Sequence, residues 1–78
     1  MRKKQEKVVF AFASTAIAMK MEKTMKEANA PGRLIPVPKE ITAGCGLSYI
    51  VNPEEKEQVE AIMKENDITA EIVVNLML

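Results

Sequence analysis

Lys7-Val8-Val9-Phe10-Ala11-Phe12-Ala13 decides the fold, because it is apolar at both alternating sets of positions. A strand with one solvated face alternates apolar and polar residues, whereas an uninterrupted apolar run of this length belongs inside a sheet. The first strand is therefore expected to be central. Ser14-Thr15 follows at once as an N-cap signal. Beyond it, Ile17, Ala18, Met21, Met25 and Ala28 fall within one arc of a helical period, with Lys20, Glu22, Lys23, Lys26 and Glu27 outside it. Glu22 and Lys26 have the favourable order of an i,i+4 pair. The methionines at this spacing read as core filling.

Asn29-Ala30-Pro31-Gly32 supplies the turn chemistry that ends this helix, and Arg33 to Val37 reads as a short second strand. Pro36 and Pro38 donate no ladder hydrogen bonds, which sends that strand to a sheet edge. Lys39 to Gly46 is a connecting loop, and Leu47 to Val51 is a third strand, β-branched and aromatic. Asn52 caps a second helix, with Pro53 at its first position and Glu54-Glu55 near its positive end. Val59, Ile62 and Met63 give that helix its buried stripe, Asn66-Asp67 ends it, and Ala70 to Leu76 forms the last strand.

The order βαββαβ is that of the split-βαβ, ferredoxin-like plan, an α+β fold with two helices on one face of a four-stranded antiparallel sheet. A spatial strand order of 4-1-3-2 puts the first strand inside and the proline-bearing second strand at an edge, where their residues independently place them. Residues 1–6 are expected to be a flexible basic lead and residues 7–78 a single domain.

Composition narrows the function. Lysine plus arginine and aspartate plus glutamate are each 11 among 78 residues, so no overall field draws the chain to nucleic acid. Histidine is absent and there is one cysteine, which excludes an internal disulfide, a multi-ligand zinc site and the commonest general base. No metal or cofactor is expected, and the lone thiol suits a reducing cytoplasm. The basic start followed by Val8 to Ala13 is too short an apolar run for a leader or a span, so no membrane segment is expected either.

Ile41-Thr42-Ala43-Gly44-Cys45-Gly46-Leu47 holds that cysteine between two of the three glycines. By default a free cysteine is a small buried hydrophobe. The ferredoxin-like path changes this expectation. Its first strand runs up, its helix down and its second strand up again, so the cysteine loop shares an end with Ser14-Thr15. Cys45 is expected beside the N-terminus of the first helix, where free N–H groups and a partial positive charge favour a thiolate. Lys39 adds charge from the same loop, and the amides of Gly44, Cys45 and Gly46 are candidates for an anion-binding concavity. The candidate site is thus Cys45 as the reacting group, with Gly44, Gly46, Ser14, Thr15 and Lys39 around it.

The run Phe12-Ala13-Ser14-Thr15, the Met21-Glu22 helix, Leu34-Ile35-Pro36-Val37-Pro38 and Gly44-Cys45-Gly46-Leu47 together resemble the selenium/sulfur (Se/S) carrier protein-like family of small bacterial domains. The resemblance covers about residues 7 to 74, and its most specific element is the L-I-P-V-P run followed by Cys-Gly. It implies that Cys45 carries sulfur or selenium as a persulfide or selenosulfide, between a donor and an acceptor protein. Gly44 and Ala16 stand where the family pattern often has a Ser or Thr and a His. Carriage needs an exposed, ionisable sulfur and no base or metal of the chain's own. Independent catalysis is not expected, since no general base accompanies Cys45, and thiol-disulfide exchange within the chain lacks a resolving cysteine.

A second reading comes from the sheet. The first strand presents Val9, Ala11 and Ala13 on one face and Val8, Phe10 and Phe12 on the other, and two helices cover only one face. The last strand repeats this, with Ile72, Val74 and Leu76 opposite Val73 and Met77. A homodimer through the open sheet face or the strand edge is expected on this ground, in a non-catalytic interaction module or small regulatory subunit.

Overall fold

A computed structural model of the protein describes residues 4–41 and 44–78. The strands are β1 (Glu6–Ala11), β2 (Arg33–Pro36), β3 (Leu47–Val51) and β4 (Ile72–Met77), and the helices are α1 (Thr15–Glu27) and α2 (Lys56–Glu65). All three strand pairings are antiparallel and the order across the sheet is β2-β3-β1-β4, the expected 4-1-3-2 read from the other edge. The fold is therefore the α+β, ferredoxin-like one.

β1 is central for the reason its residues gave. Val8, Val9, Phe10, Ala11 and Phe12 are all fully buried. Its even-numbered residues pack with Ala18, Met21 and Met25 of α1 and Val59 and Met63 of α2, joined by Tyr49, Val51 and Ile68. Burial of each large side chain is worth about 1.5–3 kcal/mol, so this layer holds the helices on the sheet. β1 leaves the ladder at Ala11, two residues before the end of the apolar run, because the backbone must turn into the α1 cap. At its other end Gln5 exchanges two backbone hydrogen bonds of 2.9 Å with Leu78, extending the β1–β4 ladder. Residues 1–3 of the expected basic lead lie outside the described residues.

Both helices close the same way. Asn29 (φ 53) and Asp67 (φ 55) take the left-handed conformation. The next residue's N–H then reaches back into the last turn, Ala30 to the Met25 carbonyl and Ile68 to the Met63 carbonyl, each at 2.8 Å. The Asn52 to Glu55 signal starts not an α-helix directly but a 3₁₀ turn (Pro53–Glu55) that leads into α2. There the Glu55 carboxylate accepts the Asn52 N–H at 2.9 Å, which is the reaching-back half of a capping box.

The helix-free face differs from expectation. Val9 and Ala11 are fully buried within the single chain, with Ile50 and Ile41 nearly so. The cover comes partly from the β2–β3 connection, which brings Ile41 and Val37 onto this face beside Ile35, Ile72, Val74 and Leu76. The connecting loop therefore carries an anchor, Ile41.

Candidate functional site

The β2–β3 connection is fastened on both sides of its cysteine. On the β2 side, Ile41 donates its N–H to the Pro38 carbonyl at 2.9 Å, closing a turn through Lys39 and Glu40, and its side chain sits in the helix-free cluster. On the β3 side, Val37 donates to the Gly46 carbonyl at 2.9 Å, which continues the β2–β3 pairing one step past Pro36 and Leu47. Thr42 and Ala43, between these fastenings, lie outside the described residues.

Gly44 fits against the start of the first helix. A Cβ built there would stand 2.9 Å from the Ala13 carbonyl oxygen, so glycine allows the approach. Ala13 precedes Ser14, the N-cap of α1. Cys45, next to Gly44, thus lies at the β1–α1 junction, where strand order put it. Gly46 meets a different need. Its φ is 75° and nothing approaches its Cβ position, so the residue is there for its left-handed backbone rather than for space.

That turn brings the sulfur back over its own chain. Leu47 donates its N–H to Cys45 Sγ at 3.3 Å, and the thiol in turn points at the Leu47 carbonyl oxygen at 3.5 Å. The pattern is an Asx-type turn with sulfur in place of the side-chain oxygen. The two contacts respond oppositely to charge: a thiolate keeps the N–H and loses the carbonyl as a partner. Cys45 is partly buried, with its inner side packed against the helix-side core.

The remaining candidate residues are placed as follows. Ser14 Oγ accepts the Ile17 N–H at 3.3 Å, so the hydroxyl is engaged in capping. Thr15 begins α1 and is exposed, and the first turn of that helix contains no acidic side chain to offset its positive end. The structure thus brings Ser14 and Thr15 to the same junction as Gly44, Cys45 and Gly46. Lys39 is exposed in the turn before Ile41, and among the described residues no hydrogen bond links it to the cysteine.

Sequence reasoning missed three features of this site: the Leu47 N–H on the sulfur, the Gly44–Ala13 contact, and the Ile41 anchor. The first was readable in principle from Cys-Gly-Leu, since a short polar side chain two residues before a strand's first N–H is an Asx-type signal. The third was signalled by one large aliphatic residue inside an otherwise polar loop.

Among the described residues no group of three or more His, Cys, Asp or Glu side chains could hold a metal ion, and no helix is long and apolar enough to cross a membrane. Comparison with known proteins adds one positive finding. The family model described as "Putative Se/S carrier protein-like" matches residues 7–75, and the chain belongs to that family. No curated protein and no solved structure matches it.

Proposed function

From membership of this family, we propose that the chain carries sulfur or selenium on Cys45, as a persulfide or selenosulfide. The observation that supports this reading most directly is the position of Cys45 Sγ. It lies in a glycine-flanked turn at the β1–α1 junction and receives the Leu47 N–H at 3.3 Å. The loop is fastened at Ile41 and Gly46, so the sulfur is presented from a set geometry.

Loading is a thiol exchange. The Cys45 thiolate attacks the outer sulfur of a donor protein's persulfide, a Cys45–sulfur bond forms, the donor's sulfur–sulfur bond breaks, and the donor cysteine leaves as a thiolate. Unloading repeats the step, with an acceptor thiolate attacking the outer sulfur and Cys45 leaving. Neither step changes the net oxidation state, and neither needs a metal, a cofactor or an independent catalytic base. In this reading Gly44 and Gly46 shape the turn, while Ser14, Thr15 and the positive end of α1 lie beside the charged outer atom. Lys39 attracts acidic partners from further out. A reducing compartment such as the cytoplasm suits a thiol of this kind.

Intact-mass spectrometry of the protein after incubation with a persulfide-loaded cysteine desulfurase tests the proposal. It requires an added sulfur on the wild type and none on Cys45→Ser.

The second reading, an interaction module that dimerises through its sheet, has support at one edge. β2 is protected by Pro36 and Pro38, whereas β4 has no proline and exposes Val73 and Met77 at 40% and 55%. Such an edge accepts another strand. The helix-free face is the weaker route, since Val9 and Ala11 are already covered within one chain. Light scattering at high protein concentration tests it: a mass of one chain throughout overturns the dimer.

A further inference from the structure

The end of the sheet away from Cys45 carries charged groups that neither the core nor the thiol uses. Lys7 stands two residues before Val9 on β1, so its side chain leaves the sheet on the helix-free face. Arg33 pairs with Ile50 across β2 and β3 and leaves on that same face. A cavity of 270 Å³ opens there, lined among others by Lys7, Gly32, Arg33, Ile50, Asn52 and Glu55.

Its cations are set differently. Lys7 is half-buried and its ammonium is held by the Asn52 side-chain oxygen. Asn52 is itself held through its N–H by the Glu55 carboxylate at 2.9 Å, so one Glu55 oxygen is already engaged. Arg33 is exposed and supplies the planar fork of a guanidinium. Next to Arg33, the backbone at Gly32 lies directly on β3, with its Cβ position 2.7 Å from the Ile50 carbonyl oxygen and in collision with the Tyr49 ring.

We propose that this corner binds a small oxyanion, a carboxylate or phosphate group taken by the Arg33 fork with the Lys7 ammonium as second donor. Two cations against one carboxylate leave the cavity one positive charge, which a single anionic group neutralises. At about 270 Å³ the cavity has room for a small anionic group. The site is separate from the thiol. From Lys7 to Ala11 the strand spans about 13 Å at the usual rise per residue, and Cys45 lies beyond its far end. Binding here therefore stands or falls independently of sulfur carriage.

Backbone-amide NMR of the full chain tests it, with inorganic phosphate and acetate titrated separately against sodium chloride at matched ionic strength. Saturable shifts at Lys7, Gly32, Arg33 and Asn52, with Cys45 still, are expected for at least one of the two anions, and the tighter one identifies the ligand chemistry. Arg33→Gln, at an exposed position, is expected to keep the spectrum of the folded protein and weaken that binding about tenfold, as loss of a charge-assisted pair requires. Shifts that stay linear for both anions, that chloride reproduces, or that Arg33→Gln leaves unchanged overturn the proposal.

Discussion

Gly44 lies against the carbonyl oxygen of Ala13, with the space for a Cβ closed to 2.9 Å, and this contact joins the cysteine loop to the start of α1. The neighbouring glycine, Gly46, has open space and a φ of 75°. Two glycines that flank one cysteine thus serve two different physical ends, and substitution separates them.

Gly44→Ala is expected to push the loop off the β1–α1 junction, at a cost of about 1–3 kcal/mol, because the obstacle is backbone and cannot rotate away. Gly46→Ala is expected to cost about 1–2 kcal/mol from the left-handed backbone alone, and Gly46→Asn clearly less, since asparagine tolerates that region. Urea unfolding of the three variants checks this. Asparagine at position 46 matching alanine would show that conformation is not what Gly46 supplies.

Ile41 is buried at 8% exposure on the helix-free face and anchors the loop from the side opposite the cysteine. Ile41→Ala is expected to cost about 2–3 kcal/mol, at the lower end for a core aliphatic because the site lies at the edge of its cluster. It should also increase the alkylation rate of Cys45 in the native protein. Alkylation kinetics below the unfolding transition, compared with wild type, read the second effect directly.

Gly32 is the most constrained glycine. Its φ is 110°, and an added Cβ would strike the Tyr49 ring while lying 2.7 Å from the Ile50 carbonyl. Gly32→Ala is expected to destabilise more than either Gly44→Ala or Gly46→Ala, by about 3 kcal/mol or more, since strain and overlap add. Thermal unfolding of the three alanine variants gives the ranking.

Tyr49 titrates above its ordinary 10.0, first because burial disfavours the phenolate and then because Glu22 and Glu55 repel it. The folded protein therefore holds this proton more tightly than the unfolded chain. The stabilisation is fully present below pH 10 and is lost as pH rises through the folded value. Tyr49 is the only tyrosine, so tyrosinate absorbance reports it alone, with a midpoint expected above 10.0. A midpoint at 10.0 or below would contradict its burial beneath α1.

The sheet order was legible because two strands carried opposite signatures. Lys7 to Ala13 had no polar face and had to be central, while Pro36 and Pro38 had to be peripheral. Those two constraints leave little freedom in a βαββαβ chain. The same order predicts the cysteine loop at the Ser14 end of the sheet, and Gly44, the neighbour of Cys45, lies against Ala13 there. Contacts of the loop's backbone were not legible, because the Leu47 N–H on sulfur depends on the dihedral of Gly46, and a glycine in sequence does not announce the sign of its φ. The fate of the helix-free face was misread for a related reason. Periodicity assigns side chains to faces of a strand, but it does not say that Ile41, from a loop, will fold over Val9 and Ala11.

The central claim is that Cys45 carries the chalcogen. Intact-mass spectrometry after incubation with a persulfide-loaded donor, followed by a thiol acceptor, tests it most directly. The account predicts one added sulfur atom on the wild type, its loss on adding the acceptor, and no addition to a folded Cys45→Ser. Absence of any cysteine-dependent gain on the wild type, with sulfur and selenium donors alike, would contradict it.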